Sequence, residues 1–159
     1  MEQQVVAPAA RPSISVQRQY LADLSFESSG FRAFAAHDRD ESQFKLRVSV
    51  GYAPKGAESY EVVVMLRGEA LRQGLLGLTV EVSYAGLFTL RGFPAEAIDP
   101  TLRIEAGELL FPFVRKIVNG LLVVNGMNEF LQPIDFSDIY LGHLRETGVR
   151  PQPASPLSA

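Results

Sequence analysis

The sequence predicts an α+β domain, a four-stranded antiparallel sheet followed by a long helix and a shorter C-terminal helix. Three observations carry this. From Ser13 to Leu90 apolar residues recur mostly at every second position, the period of a half-buried strand, whereas beyond Ala95 they recur at helical spacing. The apolar run from Leu109 to Val124 is long enough for a buried helix. No internal repeat interrupts this order, and strands first with helices last is the pattern of an α+β chain.

Residues 1–12, rich in Ala, Gln and Pro, read as a flexible N-terminal arm. The first strand is Ser13–Glu27, with Ile14, Val16 and Tyr20 on one face and Ser15, Gln17 and Gln19 on the other. Leu21, Leu24 and Phe26 break that alternation, which predicts a bulge near Ala22–Asp23. Ser28–Gln43 is a long polar connection carrying two apolar hooks, Phe31 and Phe34. Phe44–Val50 alternates with Phe44, Leu46, Val48 and Val50 inward, and Pro54 and Gly56 then turn the chain back. Tyr60–Arg67 and Leu76–Leu90 are two further strands, joined around Gly68–Gly74. Strands in succession predict an antiparallel meander with one polar face.

Glu105–Val124 is the long helix, closed by Asn125–Gly126. Pro112 lacks a backbone donor and crowds the preceding turn, so the helix is expected to start, kink or bend there. Arg115 and Lys116 exclude a membrane span, since each charge near mid-bilayer costs roughly 2.5–3.5 kcal/mol. Asp135 stands where an N-cap belongs, with Asp138 in the first turn and Phe136, Ile139, Tyr140 and Leu144 at helical spacing. The domain is therefore expected to span 13–146. Residues 147–159, with Gly148 and three prolines, read as a disordered tail.

At 159 residues the chain fits one domain. A net charge of −3 without any basic block argues against nucleic acid as a partner. The absence of cysteine excludes disulfides and thiolate metal sites. The N-terminal residues have neither a basic nor an apolar signal region, which makes the cytoplasm the expected compartment. The two histidines, His37 and His143, lack partners at metal-ligand spacing. The glycines between Gly68 and Gly77 form no phosphate-binding motif, and no GxSxG elbow occurs. His37 to Glu41 reads as a solvated charged loop. No enzymatic constellation, metal or other cofactor is therefore expected. What remains is apolar surface, with loop aromatics beside a sheet edge suited to gripping extended peptide.

Five segments, in this order, resemble the SecB family of bacterial protein-export chaperones: QRQYLADLSFE at 17–27, YEVVVMLRGEA at 60–70, VEVSYAGLFTLRG at 80–92, LLFPFVRKIV at 109–118 and LQPIDFSDIYLGHL at 131–144. The resemblance covers Ser13 to Leu144. It implies a homotetramer, a dimer of dimers whose long helices lie between two extended sheets. The helix at 105–124 agrees, because its apolar residues cover more of its circumference than one small sheet can bury. The resemblance also implies ATP-independent holding of unfolded precursor proteins and delivery to the SecA translocase motor. Carried onto this chain, the client contacts would be Phe31, Phe34, Phe44, Phe130, Phe136, Ile139 and Tyr140. The SecA contacts would be Asp23, Glu27 and Glu81. Strand parity supports Glu81, which alternates with Val80 and Val82 and so points outward. A second reading is a SecB-like chaperone dedicated to one partner such as an antitoxin, because Ser28–Phe31 and Met127–Phe130 depart from the family pattern. A small-molecule binding domain on the same scaffold would rest on the His37–Glu41 cluster alone.

Overall fold

A computed structural model of the chain describes residues 11–28, 42–72, 75–125, 127 and 131–148. Its sheet contains β1 (Ser13–Ser28), β2 (Ser42–Pro54), β3 (Ser59–Arg72) and β4 (Leu75–Arg91), all antiparallel. Their spatial order is β1-β4-β3-β2. The expected meander is thus corrected. Only β2, β3 and β4 follow one another as hairpins, while β1 lies against β4, the arrangement of a Greek key. Alternation reports which way a side chain faces but not which strand is its neighbour.

β1 carries two register shifts rather than one, between Val16 and Arg18 and between Leu21 and Asp23. The second is the predicted bulge. The first, at Gln17, moves Tyr20 to the outer face, where it is paired with Ala85, and brings Leu21 beside the buried Tyr84. With both bulges in place, Ile14, Val16, Leu21, Leu24 and Phe26 pair with residues of β4 that share one face.

β3 runs through Gly68 to Arg72, beyond the end expected at Arg67. Gly68 is not a turn residue. A Cβ there would lie 2.5 Å from Cζ of Phe44, so the missing side chain lets the Phe44 ring close over β3.

The helical segment is longer than the periodicity suggests. It comprises α1 (Ala95–Pro100), a π-helical turn (Thr101–Ala106) and α2 (Gly107–Val124). Pro100 and Pro112 both lie inside it, at positions whose missing N–H groups cannot join the helical ladder. Leu102, Ala106, Leu110, Val114, Val118 and Leu122 recur every four residues and are fully buried against Val62, Val64, Val80, Val82 and Phe88 of the sheet. α3 (Phe136–Thr147) begins at Asp135, whose carboxylate accepts a 2.8 Å hydrogen bond from the Ser137 N–H. It includes Thr147, assigned to the tail by sequence, and ends at Gly148 with a left-handed φ of 69°. Residues 1–10 of the expected arm and 149–159 of the expected tail lie outside the described residues. No described helix is long and apolar enough to cross a membrane.

Candidate functional site

β2 is an edge strand, and α3 lies beside it. Between them is a cavity of about 240 Å3. Val48, Val50 and Ile139 supply its apolar walls, and Arg103, Tyr140, His143 and Glu146 supply polar groups. A concave site at a sheet edge, with apolar walls on one side and convergent polar groups on the other, can receive a side chain of an extended peptide.

The end of this groove is organised by Asp99. Its carboxylate accepts hydrogen bonds from the Tyr52 hydroxyl at 2.8 Å, from Arg103 Nε at 3.0 Å, and from the Tyr140 hydroxyl. The Arg103 guanidinium lies 5.1 Å from the centre of the Tyr52 ring and donates at 2.6 Å to the Val50 carbonyl. Asp99 therefore ties α1, the π-helical turn, α3 and β2 into one wall.

Burial alone would raise the Asp99 carboxyl, but donation from Tyr52, Arg103 and Tyr140 together with the Arg103 charge outweighs it and holds the group below its ordinary range. Burial, then the bond to Asp99, pushes Tyr52 up to about 12. The signs differ. Asp99's contribution is complete above the ordinary carboxyl range and is lost as pH falls below it. The contribution of Tyr52 is complete below its usual value of 10.0 and is lost as pH rises from there toward about 12. Asp99→Ala is expected to cost about 2 kcal/mol, because hydrogen bonds to a charged group are each worth roughly 1.5–3 kcal/mol and this carboxylate is only half-buried. Thermal melts from pH 3 to 12 check this. The variant should melt lower at neutral pH and lose the acid and alkaline arms assigned to this pair.

Of the residues expected to meet a client, Ile139 and Tyr140 line this groove. Phe44 is half-buried on the same edge strand, opposite Ala70. Phe136 is corrected. It is 1% exposed and packs edge-on against Phe111 at 5.5 Å between ring centres, so it is a core residue that no client can reach in this fold. Phe31, Phe34 and Phe130 lie outside the described residues, as does the His37–Glu41 cluster. Sequence reasoning missed Tyr52, Asp99 and Arg103. The four-residue spacing of Asp99 and Arg103 is a helical ion-pair signal, hidden because the apolar periodicity places the start of the helix at Glu105.

On the outer face of the sheet, Asp23, Ser25 and Glu27 of β1 lie beside Ser83, Glu81 and Thr79 of β4. Glu81 thus stands directly across from Ser25, with Asp23 and Glu27 on its two diagonals, and diagonal neighbours on a sheet lie about 7–8 Å apart. The three acids expected to contact a motor form one triangle on one face. Two of them have no ion-pair partner among the described residues, but Glu81 is bound by Arg67, which also holds Glu69.

A third surface lies on the opposite side. α2 has a second apolar stripe that the sheet does not cover, with Leu109, Phe113 and Val124 exposed by 47%, 41% and 83%. Phe113 stacks flat on Tyr84 at 5.7 Å between ring centres, and Tyr84 is the strand partner of Leu21. Val16, Leu21 and Leu24 of β1 are likewise exposed, so helix and strand present one continuous apolar area.

The family described as preprotein translocase subunit SecB matches residues 7–147. The chain is 39% identical over 137 residues to the protein-export protein SecB of Paramagnetospirillum magneticum, covering 85% of this chain and 88% of that one. It is 36% identical over 146 residues to the SecB of Sinorhizobium medicae, covering 91% of this chain and 86% of the relative. Among solved structures, it shares its fold with a SecB-like chaperone of Mycobacterium tuberculosis in complex with an antitoxin peptide. That match has a TM-score of 0.56 at 13% identity and covers 77% of this chain and 91% of the other.

Proposed function

The chain belongs to the SecB family and is a chaperone of protein export, and from that membership we propose that it is an ATP-independent holdase. It keeps precursor proteins unfolded in the cytoplasm and passes them to the SecA motor. The groove between β2 and α3 is the observation that carries the holding step. Its apolar walls accept side chains of many kinds, and the adjacent edge strand offers main-chain partners to an extended segment. Holding of this sort needs no nucleotide, because binding of exposed apolar segments is itself favourable.

The working form in this reading is a homotetramer, a dimer of dimers. The second apolar stripe of α2 and the exposed face of β1 support it, since a lone chain would leave both in water. Asp23, Glu27 and Glu81 form the surface for SecA, and their convergence on the outer sheet face supports that assignment.

Native mass spectrometry of the purified protein, alone and with an excess of an unfolded precursor, tests the reading. The expected species is four copies of the 17.5 kDa chain, taking up precursor with no nucleotide present. An assembly that ignores several unfolded precursors but captures a single antitoxin would replace general export with a dedicated partnership.

A further inference from the structure

We infer that Arg67 is a built-in competitor for the motor-docking surface, and that it sets how strongly cationic a partner must be to dock there. This rests on the reading that SecA binds Asp23, Glu27 and Glu81. Among the described residues, only Glu81 of those three carboxylates is already occupied, by Nη1 of Arg67. The two residues are strand partners on β3 and β4, so the pairing is built into the register. Both side chains are about half exposed, which leaves the pair open to exchange with an incoming cation.

The same guanidinium has a second place to go. Its Nη2 and Nε atoms donate to one oxygen of Glu69 at 3.0 and 3.2 Å. When a partner's lysine or arginine takes Glu81, Arg67 keeps its bonds to Glu69 and is not left unpaired. Glu69 therefore acts as the holding position that makes the exchange possible. Arg47 stands directly opposite Arg67 on β2, and like charges across a sheet repel. That repulsion pushes the Arg67 guanidinium away from β2 and toward Glu81 on β4. A docking segment thus meets a triangle of acids in which one corner is screened. A weakly basic segment engages Asp23 and Glu27 only, whereas a strongly basic one displaces Arg67 and engages all three.

The test is the Kd for purified SecA, measured with the full chain at low and at physiological salt. Arg67→Gln removes the competitor while keeping length and polarity. It is expected to tighten binding about two- to five-fold, the span set by an exposed ion pair, with a smaller gain as salt rises. Arg67→Lys, which can still pair with Glu81, should return the Kd toward the parent value. Glu69→Gln should weaken binding by confining Arg67 to Glu81, and should have no effect once Arg67 is glutamine. A purely structural role for Arg67 would lower the melting temperature without tightening SecA binding. Asp23→Asn combined with Glu81→Gln separates the two levels. If that pair weakens docking while Arg67→Gln brings no gain, competition by Arg67 is overturned alone. If that pair leaves the Kd unchanged, the docking surface itself is misplaced and this inference falls with it.

Discussion

Replacing Phe113 with aspartate is expected to hold the native mass below that of four copies while leaving the fold of each copy intact. Phe113 is exposed in the single chain and touches its own subunit chiefly through one ring face, stacked on Tyr84. A carboxylate at that position stays hydrated in an isolated chain and costs little there. Inside an assembly, Leu109 and Phe113 of α2 and Leu21 and Leu24 of β1 would be covered by another copy. A charge stripped of water in such surroundings, with no cation at hand, costs several kcal/mol. Far-ultraviolet circular dichroism should therefore match the parent protein while native mass falls. Uptake of precursor should weaken as well, because grooves on separate copies no longer act on one chain together. An aspartate variant that still runs as a tetramer would show that this apolar area is not the subunit contact.

The elements of this fold were legible in the sequence because each depends on local spacing. The period of two in β2, β3 and β4, the Asp135 cap and the bulge near Ala22 all follow from neighbouring residues. What the sequence hid depends on pairs distant along the chain. β1 pairs with β4, its neighbour in the sheet but the most distant strand along the chain, and nothing in its own alternation identifies that neighbour. Gly68 reads as a turn until the Phe44 ring is seen above it. Phe136 has the spacing of an amphipathic face, and periodicity cannot tell a core ring from one left for a client. The acidic triangle came from the family resemblance and was supported by parity only at Glu81. The Arg67 contact to Glu81 needed the β3–β4 register. The wall made by Tyr52, Asp99 and Arg103 needed the helix to begin at Ala95.

The largest effect on stability is expected where α2 crosses β4. Gly86 and Leu110 meet there, and a Cβ built on Gly86 would stand 2.8 Å from Cδ2 of Leu110 and 2.7 Å from Cε2 of Phe88. Both neighbours are fully buried, so neither ring nor isobutyl group has free space to move into. Gly86→Ala is thus an overpacking change, expected to cost about 1–3 kcal/mol. Leu110→Ala leaves a void between helix and sheet and is expected to cost about 2–5 kcal/mol. The two changes have opposite signs in volume and act on the same space. The double variant should therefore be more stable than the sum of the single costs implies, by roughly 0.5–3 kcal/mol of coupling. Urea titrations at one fixed protein concentration measure all four members of the cycle, and the fixed concentration keeps any assembly term constant. Strict additivity would mean that α2 does not rest on Gly86 through Leu110, leaving the Phe88 ring as the packing reason for a glycine there.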